Sequence, residues 1–217
     1  MRIIQIIALF ALHLLSISAE AGIAYSFDGE VLVLKTEKGG PIRLKNSNCN
    51  DGPERCIKHR FRGTIADDQF YYVDTGFYEG VELALYSYKS GTKTEIYAEP
   101  HLSTQGTLIV TALGDEASNY TDNGVFVFEI VGGELKEIFR YQTKDYALYR
   151  FKNWESQEKA IIELTVWCKK SRDKTHNIDA TEFTRTELVT LDILLTRTAK
   201  GWQLDQENGR ACIESTK

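Results

Sequence analysis

Between Asp67 and Glu79 the chain reads DDQFYYVDTGFYE, in which Asp67, Asp68, Asp74 and Glu79 are interleaved with Tyr71, Tyr72, Phe77 and Tyr78. Carboxylates beside aromatic platforms are the equipment of a glycoside hydrolase, in which one acid protonates the leaving group and a second acts as nucleophile or base. The same residue types also make a contact patch. Tyr and Phe offer large area at low conformational cost, and neighbouring carboxylates favour a basic partner. A third reading needs no chemistry, because aromatic residues suit strands and fill β cores. On the contact reading the partner-binding residues are Tyr72, Phe77, Tyr78 and Glu79. Tyr71 and Tyr72 are adjacent, so in a strand one ring is expected inward and one outward.

Little else in the chain points to catalysis. His59, His101 and His176 fall in separate polar segments without ligand spacing, and His13 lies in an apolar leader. No G-x-S-x-G elbow, G-x-G-x-x-G turn or phosphate loop occurs, so neither a catalytic set nor a cofactor is expected. The acidic stretch GDEASNYTDNG, Gly114 to Gly124, offers Asp115, Glu116 and Asp122 but lacks the ordered spacing of a calcium hand, and it reads as a connection between strands. It also contains the glycosylation sequon Asn119-Tyr120-Thr121.

The first residues, MRIIQIIALFALHLLSISAEAG, place Arg2 before an apolar run from Ile3 to Ile17 and an Ala19-Glu20-Ala21 motif. That run is shorter than the roughly 20 residues of a spanning helix, so residues 1–21 are predicted to be a signal peptide. Residues 22–217 are then expected to form one exported domain, periplasmic or extracellular, with no membrane span after cleavage. An even cysteine count fits that compartment. Cys49 with Cys56, and Cys168 with Cys212, are the expected disulfides; the first closes the turn-rich loop CNDGPERC. The C-x6-C spacing does not suit zinc, and no metal site is expected. A net charge of −5, with both signs mixed along the chain, argues against nucleic acid as partner.

Strand patterns position all of these residues. In IIELTVWC, Ile162, Leu164, Val166 and Cys168 alternate with Glu163, Thr165 and Trp167; ELVTLDILLTR alternates in the same way. LALYSYKSGTKTEIY from Leu83 and VFVFEIVGGELKEIF from Val125 align without gaps, Gly91 meeting Gly133 at a separation of 42 residues. Weaker copies begin at Val31, with Gly39 in the turn, and at Ile193, with Gly201 in the turn. Each copy predicts a β-hairpin whose glycine supplies a positive φ.

The spacing is that of one four-stranded propeller blade. The order KSGTKTEI, then EPHLSTQGTLIV, resembles the blades of TolB-like and WD40-like propellers, in which a D-x-x-T-G hairpin precedes P-x-x-S-P-D-G-x-x-I. Gly91, Pro100, Ser103, Gly106 and Ile109 match, and Ser90, Thr104 and Gln105 depart from it. The resemblance covers about a third of the chain and implies an all-β fold, a small or partial propeller-like array of antiparallel hairpins. A bent β-sandwich of the same hairpins is the alternative. In size, export and cysteine content the chain also resembles periplasmic inhibitor and immunity proteins. That likeness implies a non-catalytic protein-binding module acting on another protein, a basic hydrolase or toxin. A glycan- or peptide-binding envelope protein is the second reading and a glycoside hydrolase the third.

Overall fold

The computed structural model describes residues 25–47, 49–52, 55–114, 123–143, 147–169 and 186–205. The predicted signal peptide, Cys212, His176, Asn119 and the acidic residues 115, 116 and 122 lie outside them. The described residues form four antiparallel sheets whose strands follow one another in chain order. The first sheet holds β1 (Tyr25–Asp28), β2 (Val31–Leu34) and β3 (Ile42–Lys45). A short 3-10 turn at Cys49–Asp51 leads to the second: β4 (Lys58–Ile65), β5 (Phe70–Phe77), β6 (Gly80–Ser87) and β7 (Lys93–Ile96). The third comprises β8 (His101–Leu102), β9 (Leu108–Leu113), β10 (Asn123–Val131) and β11 (Glu134–Thr143). The fourth comprises β12 (Leu148–Ser156), β13 (Lys159–Lys169), β14 (Thr186–Thr198) and β15 (Gly201–Asp205).

The four repeated segments are the last two strands of their sheets: β2 with β3, β6 with β7, β10 with β11 and β14 with β15. Their turn glycines have the positive φ that the alignment required, +106° at Gly39, +81° at Gly91, +83° at Gly133 and +106° at Gly201. The repeat is therefore a structural unit, and among the described residues the first sheet has three strands where the others have four.

Successive sheets stack face to face. One buried cluster joins Leu32 and Leu34 of the first sheet to Tyr71, Val73, Ala84 and Tyr86 of the second. A second joins Phe70, Leu85 and Ile96 to Ile109, Phe126 and Phe128 of the third, and a third joins Val110, Val125 and Val127 to Tyr149, Ile162, Leu164 and Ile193 of the fourth. A two-layer sandwich would have one such core; three successive cores make an open stack. No buried cluster among the described residues joins the first sheet to the last.

The apolar pattern follows from position in the stack. In β10, Val125 and Val127 face the fourth sheet while Phe126 and Phe128 face the second, so the middle of the strand is apolar on both faces. In the fourth sheet Ile162, Leu164 and Val166 are buried and the intervening Glu163 and Thr165 are not, because only one face is covered. The same holds in β3, where Ile42 and Leu44 pack inward between Arg43 and Lys45.

A disulfide bonds Cys49 to Cys56, as expected from the loop sequence. Cys168 lies in β13, and its expected partner falls outside the described residues. No helix among the described residues is long and apolar enough to cross a membrane. The disulfide is compatible with a periplasmic or extracellular location.

Close packing of the third sheet makes one position a test of the fold. A Cβ on Gly124 in β10 would lie 2.1 Å from the Tyr141 carbonyl oxygen, whereas one on Gly80 would meet nothing within 4 Å. Gly124→Ala is expected to cost about 3 kcal/mol or more in urea denaturation, since backbone must move. Gly80→Ala should stay within about 0.5 kcal/mol of the parent protein.

Candidate protein-contact surface

The aromatic cluster of the opening stretch divides along β5. Tyr71 and Val73 face the first sheet, while Phe70 and Tyr72 face the third. Both tyrosines therefore point into interfaces, which corrects the expectation of one solvent-facing ring: a sheet covered on both sides has no free face. Tyr71 is fully buried, donates its hydroxyl hydrogen bond to the Lys35 carbonyl, and has its pKa pushed up to about 12, chiefly by that burial. Tyr72 is half-buried, and burial followed by the nearby Glu99 raises its phenol pKa.

At the end of the strand the situation reverses. Phe77 pairs with Gly80 across a turn formed by Tyr78 and Glu79. Phe77 is 45% exposed, Tyr78 64% and Val81 56%, and Glu79 is exposed between them. Large apolar side chains so placed contribute nothing to the core. Their stem is firm, because β5 is flanked on both edges by full-length strands and filled on both faces. Of the expected contact residues, the structure thus gathers Phe77, Tyr78 and Glu79 at one tip and sets Tyr72 apart in the interface with the third sheet.

The disulfide loop leaves the second sheet at the same end, since Lys58 pairs with Gly76 just before that tip. Ser47 and Ile57 hold the loop's base: Ser47 N–H donates to the Ile57 carbonyl (3.0 Å) and Ile57 N–H to Ser47 Oγ (2.6 Å). Asn46 N–H donates to the Glu30 carbonyl in the β1–β2 turn, and Asn46 Oδ1 accepts from His59 N–H at 2.7 Å. Two further exposed rings border this end. Phe27 is 56% exposed beside Tyr25, whose ring lies 4.0 Å from that of Phe61.

The carboxylates do not converge. Asp67 and Asp68 lie in the β4–β5 turn with left-handed φ of 50° and 62°, a conformation Asp tolerates, and Asp68 accepts a hydrogen bond from the Thr64 hydroxyl. Glu79 is at the far end of β5, about 24 Å away at roughly 3.4 Å per residue. A glycosidase pair works at about 5 to 9.5 Å. Asp74, between them, is fully buried and ion-paired to Arg60 Nε at 2.7 Å and to Arg62 Nε. This double pairing was not read from the sequence, although a signal was present. HRFRG from His59 and YRFKN from Tyr149 align at a separation of 90 residues, and β4 and β12 share a bulge just after Phe61 and Phe151.

The described histidines stand apart. His59 Nδ1 lies 3.0 Å from Thr75 Oγ1 in the second sheet, and His101 in the third stacks on Phe151 at 4.2 Å. Among the described residues no group of three His, Cys, Asp or Glu could hold a metal ion. A cleft of about 680 Å³ opens at the opposite end of the stack, where Gln69, Tyr88 and Thr107 meet and Lys89 Nζ donates to the Gly132 carbonyl at 2.7 Å.

Burial lowers the pKa of both histidines, against the opposing pull of Glu82 on His59 and of Glu99 on His101. A histidine whose folded pKa lies below its unfolded value takes up its proton first in the unfolded chain. Its contribution to stability is complete above the unfolded pKa near 6.5 and falls away as pH drops toward the folded value. Denaturation midpoints at pH 7.5 and pH 5 are therefore expected to show lower stability in acid, with a smaller difference in His101→Gln. No protein-family model matches this chain, and no curated protein or solved structure matches it either.

Proposed function

We propose that this protein is an exported, non-catalytic binding module that engages another protein through the tip of the β5–β6 hairpin, acting as an inhibitor or immunity protein against a hydrolase or toxin. The observation that carries this reading is the exposure of Phe77, Tyr78 and Val81 at the end of a stem whose other side chains are buried or partly buried. Aromatic side chains dominate the energetics of protein interfaces, and a preorganised support lowers the ordering cost of binding. The adjacent disulfide loop limits movement on the neighbouring side of the surface. Glu79 places a negative charge among the rings, which favours a partner with a basic patch or cleft.

Affinity capture from the envelope and secreted fractions of the source cells, followed by mass spectrometry, tests this reading. A stoichiometric hydrolase or toxin is the expected finding. Phe77→Ala and Tyr78→Ala should each weaken that binding about tenfold or more, as interface hot spots do. Each should shift stability by less than about 0.5 kcal/mol, as surface changes do. Retention of isolated cell-wall fragments in the absence of protein, with no partner captured, would instead establish the glycan-binding alternative.

A further inference from the structure

The edge strand β4 carries Arg60 and Arg62 on one face, the face that also bears Asp74 and Tyr72. Asp74 is fully buried, and a carboxylate there requires compensation, which a single arginine would supply. Two are present. Each gives only its Nε to Asp74, and their side chains remain 59% and 52% exposed. No other carboxylate among the described residues lies within 4.0 Å of either guanidinium. Glu99 acts on Tyr72 from the segment after β7 and forms no ion pair with them.

The corresponding strand of the fourth sheet shows what a purely structural arrangement looks like. Arg150 and Lys152 of β12 occupy the positions of Arg60 and Arg62, and each has its own acid: Glu163 at 2.5 Å and Asp192 at 2.7 Å. There two cations meet two anions. On β4 two cations share one anion, leaving a net charge of +1 on a chain whose overall charge is −5. Their Nη groups make no hydrogen bond among the described residues. Both guanidiniums are held at Nε by the two oxygens of one buried carboxylate, which keeps the two cations side by side.

We propose that Arg60 and Arg62 form a two-guanidinium clamp for a phosphate or sulfate group, with Asp74 as its positioning residue. Guanidinium donors match the oxygens of such groups, and holding the two side by side lowers the ordering cost that two free arginines would carry. The clamp uses the side of the second sheet that faces the third, whereas Phe77 lies on the side that faces the first. It does not depend on the hairpin tip or on a protein partner.

The test is a titration of the purified, disulfide-bonded protein with inorganic phosphate at constant ionic strength, reading the arginine Nε–Hε resonances by NMR. Saturable shifts of Arg60 and Arg62 are expected, with affinity falling about tenfold or more in Arg62→Gln. The double variant R60K/R62K keeps Asp74 compensated and the charge unchanged, so it guards against loss of fold; it too should bind more weakly, because lysine lacks the planar fork. A parallel titration with glycerol phosphate separates the sources. Tighter binding than phosphate indicates an esterified ligand, and equal binding indicates recognition of the oxyanion alone. Shifts that never saturate, or phosphate binding equally tight in the folded R60K/R62K protein when followed in both proteins at the backbone amides of β4 and β5, would overturn the clamp.

Discussion

The second and third sheets are covered on both faces, and most other features of this protein follow from that constraint. A central strand of such a sheet, such as β5 or β10, cannot send alternate side chains to water along most of its length. It must be apolar on both faces, as β10 is from Val125 to Phe128, or find partners for the polar groups it buries. Most buried polar groups of the inner sheets are accordingly paired, with Thr111 Oγ1 of β9 an exception. Tyr71 reaches the Lys35 carbonyl, Ser87 Oγ donates to the Gly133 carbonyl at 2.7 Å, and Asp74 holds two arginines. Two of these bonds, from Tyr71 and from Ser87, cross from the second sheet to its neighbours.

A stack of this kind has few places to present a binding group. The faces of its inner sheets are consumed by packing, which leaves the hairpin ends, the strand edges and the outer faces of the first and last sheets. At one end lie tight glycine turns, bridged by Lys89 to Gly132. At the other lie the β5–β6 tip and the disulfide loop, where large rings are exposed. The edge strand β4 presents arginines rather than the bare ladder of an unprotected edge, and such charges also discourage edge-to-edge pairing with another chain.

Much of the architecture was legible because turn chemistry is local. Gly39, Gly91, Gly133 and Gly201 marked the four hairpins, and the left-handed backbone at those turns is a property of a few adjacent residues. Alternation in IIELTVWC likewise announced a sheet with one covered face. The surroundings of the two tyrosines are not local: alternation gives two directions for Tyr71 and Tyr72 but does not say what lies in each. Asp74 was opaque on the same ground. In sequence it is one acid among four, and only the packing of the third sheet against the second makes it a buried charge.

The comparison of β4 with β12 shows how the same strand pattern takes two different charge arrangements in two sheets. Both strands carry an aromatic residue that packs against the preceding sheet, Phe61 on Tyr25 and Phe151 on His101, and both flank it with two cationic side chains. In β12 those cations reach acids on β13 and β14, on the exposed outer face of the last sheet, where exposed ion pairs contribute little. In β4 the same positions border a covered face, and the carboxylate between them is removed from water. Desolvation makes that carboxylate a far stronger anchor than its counterparts in the fourth sheet. Burial of one residue on a neighbouring strand thus converts two ordinary surface arginines into a pair held side by side, and the difference arises from the position of the sheet in the stack.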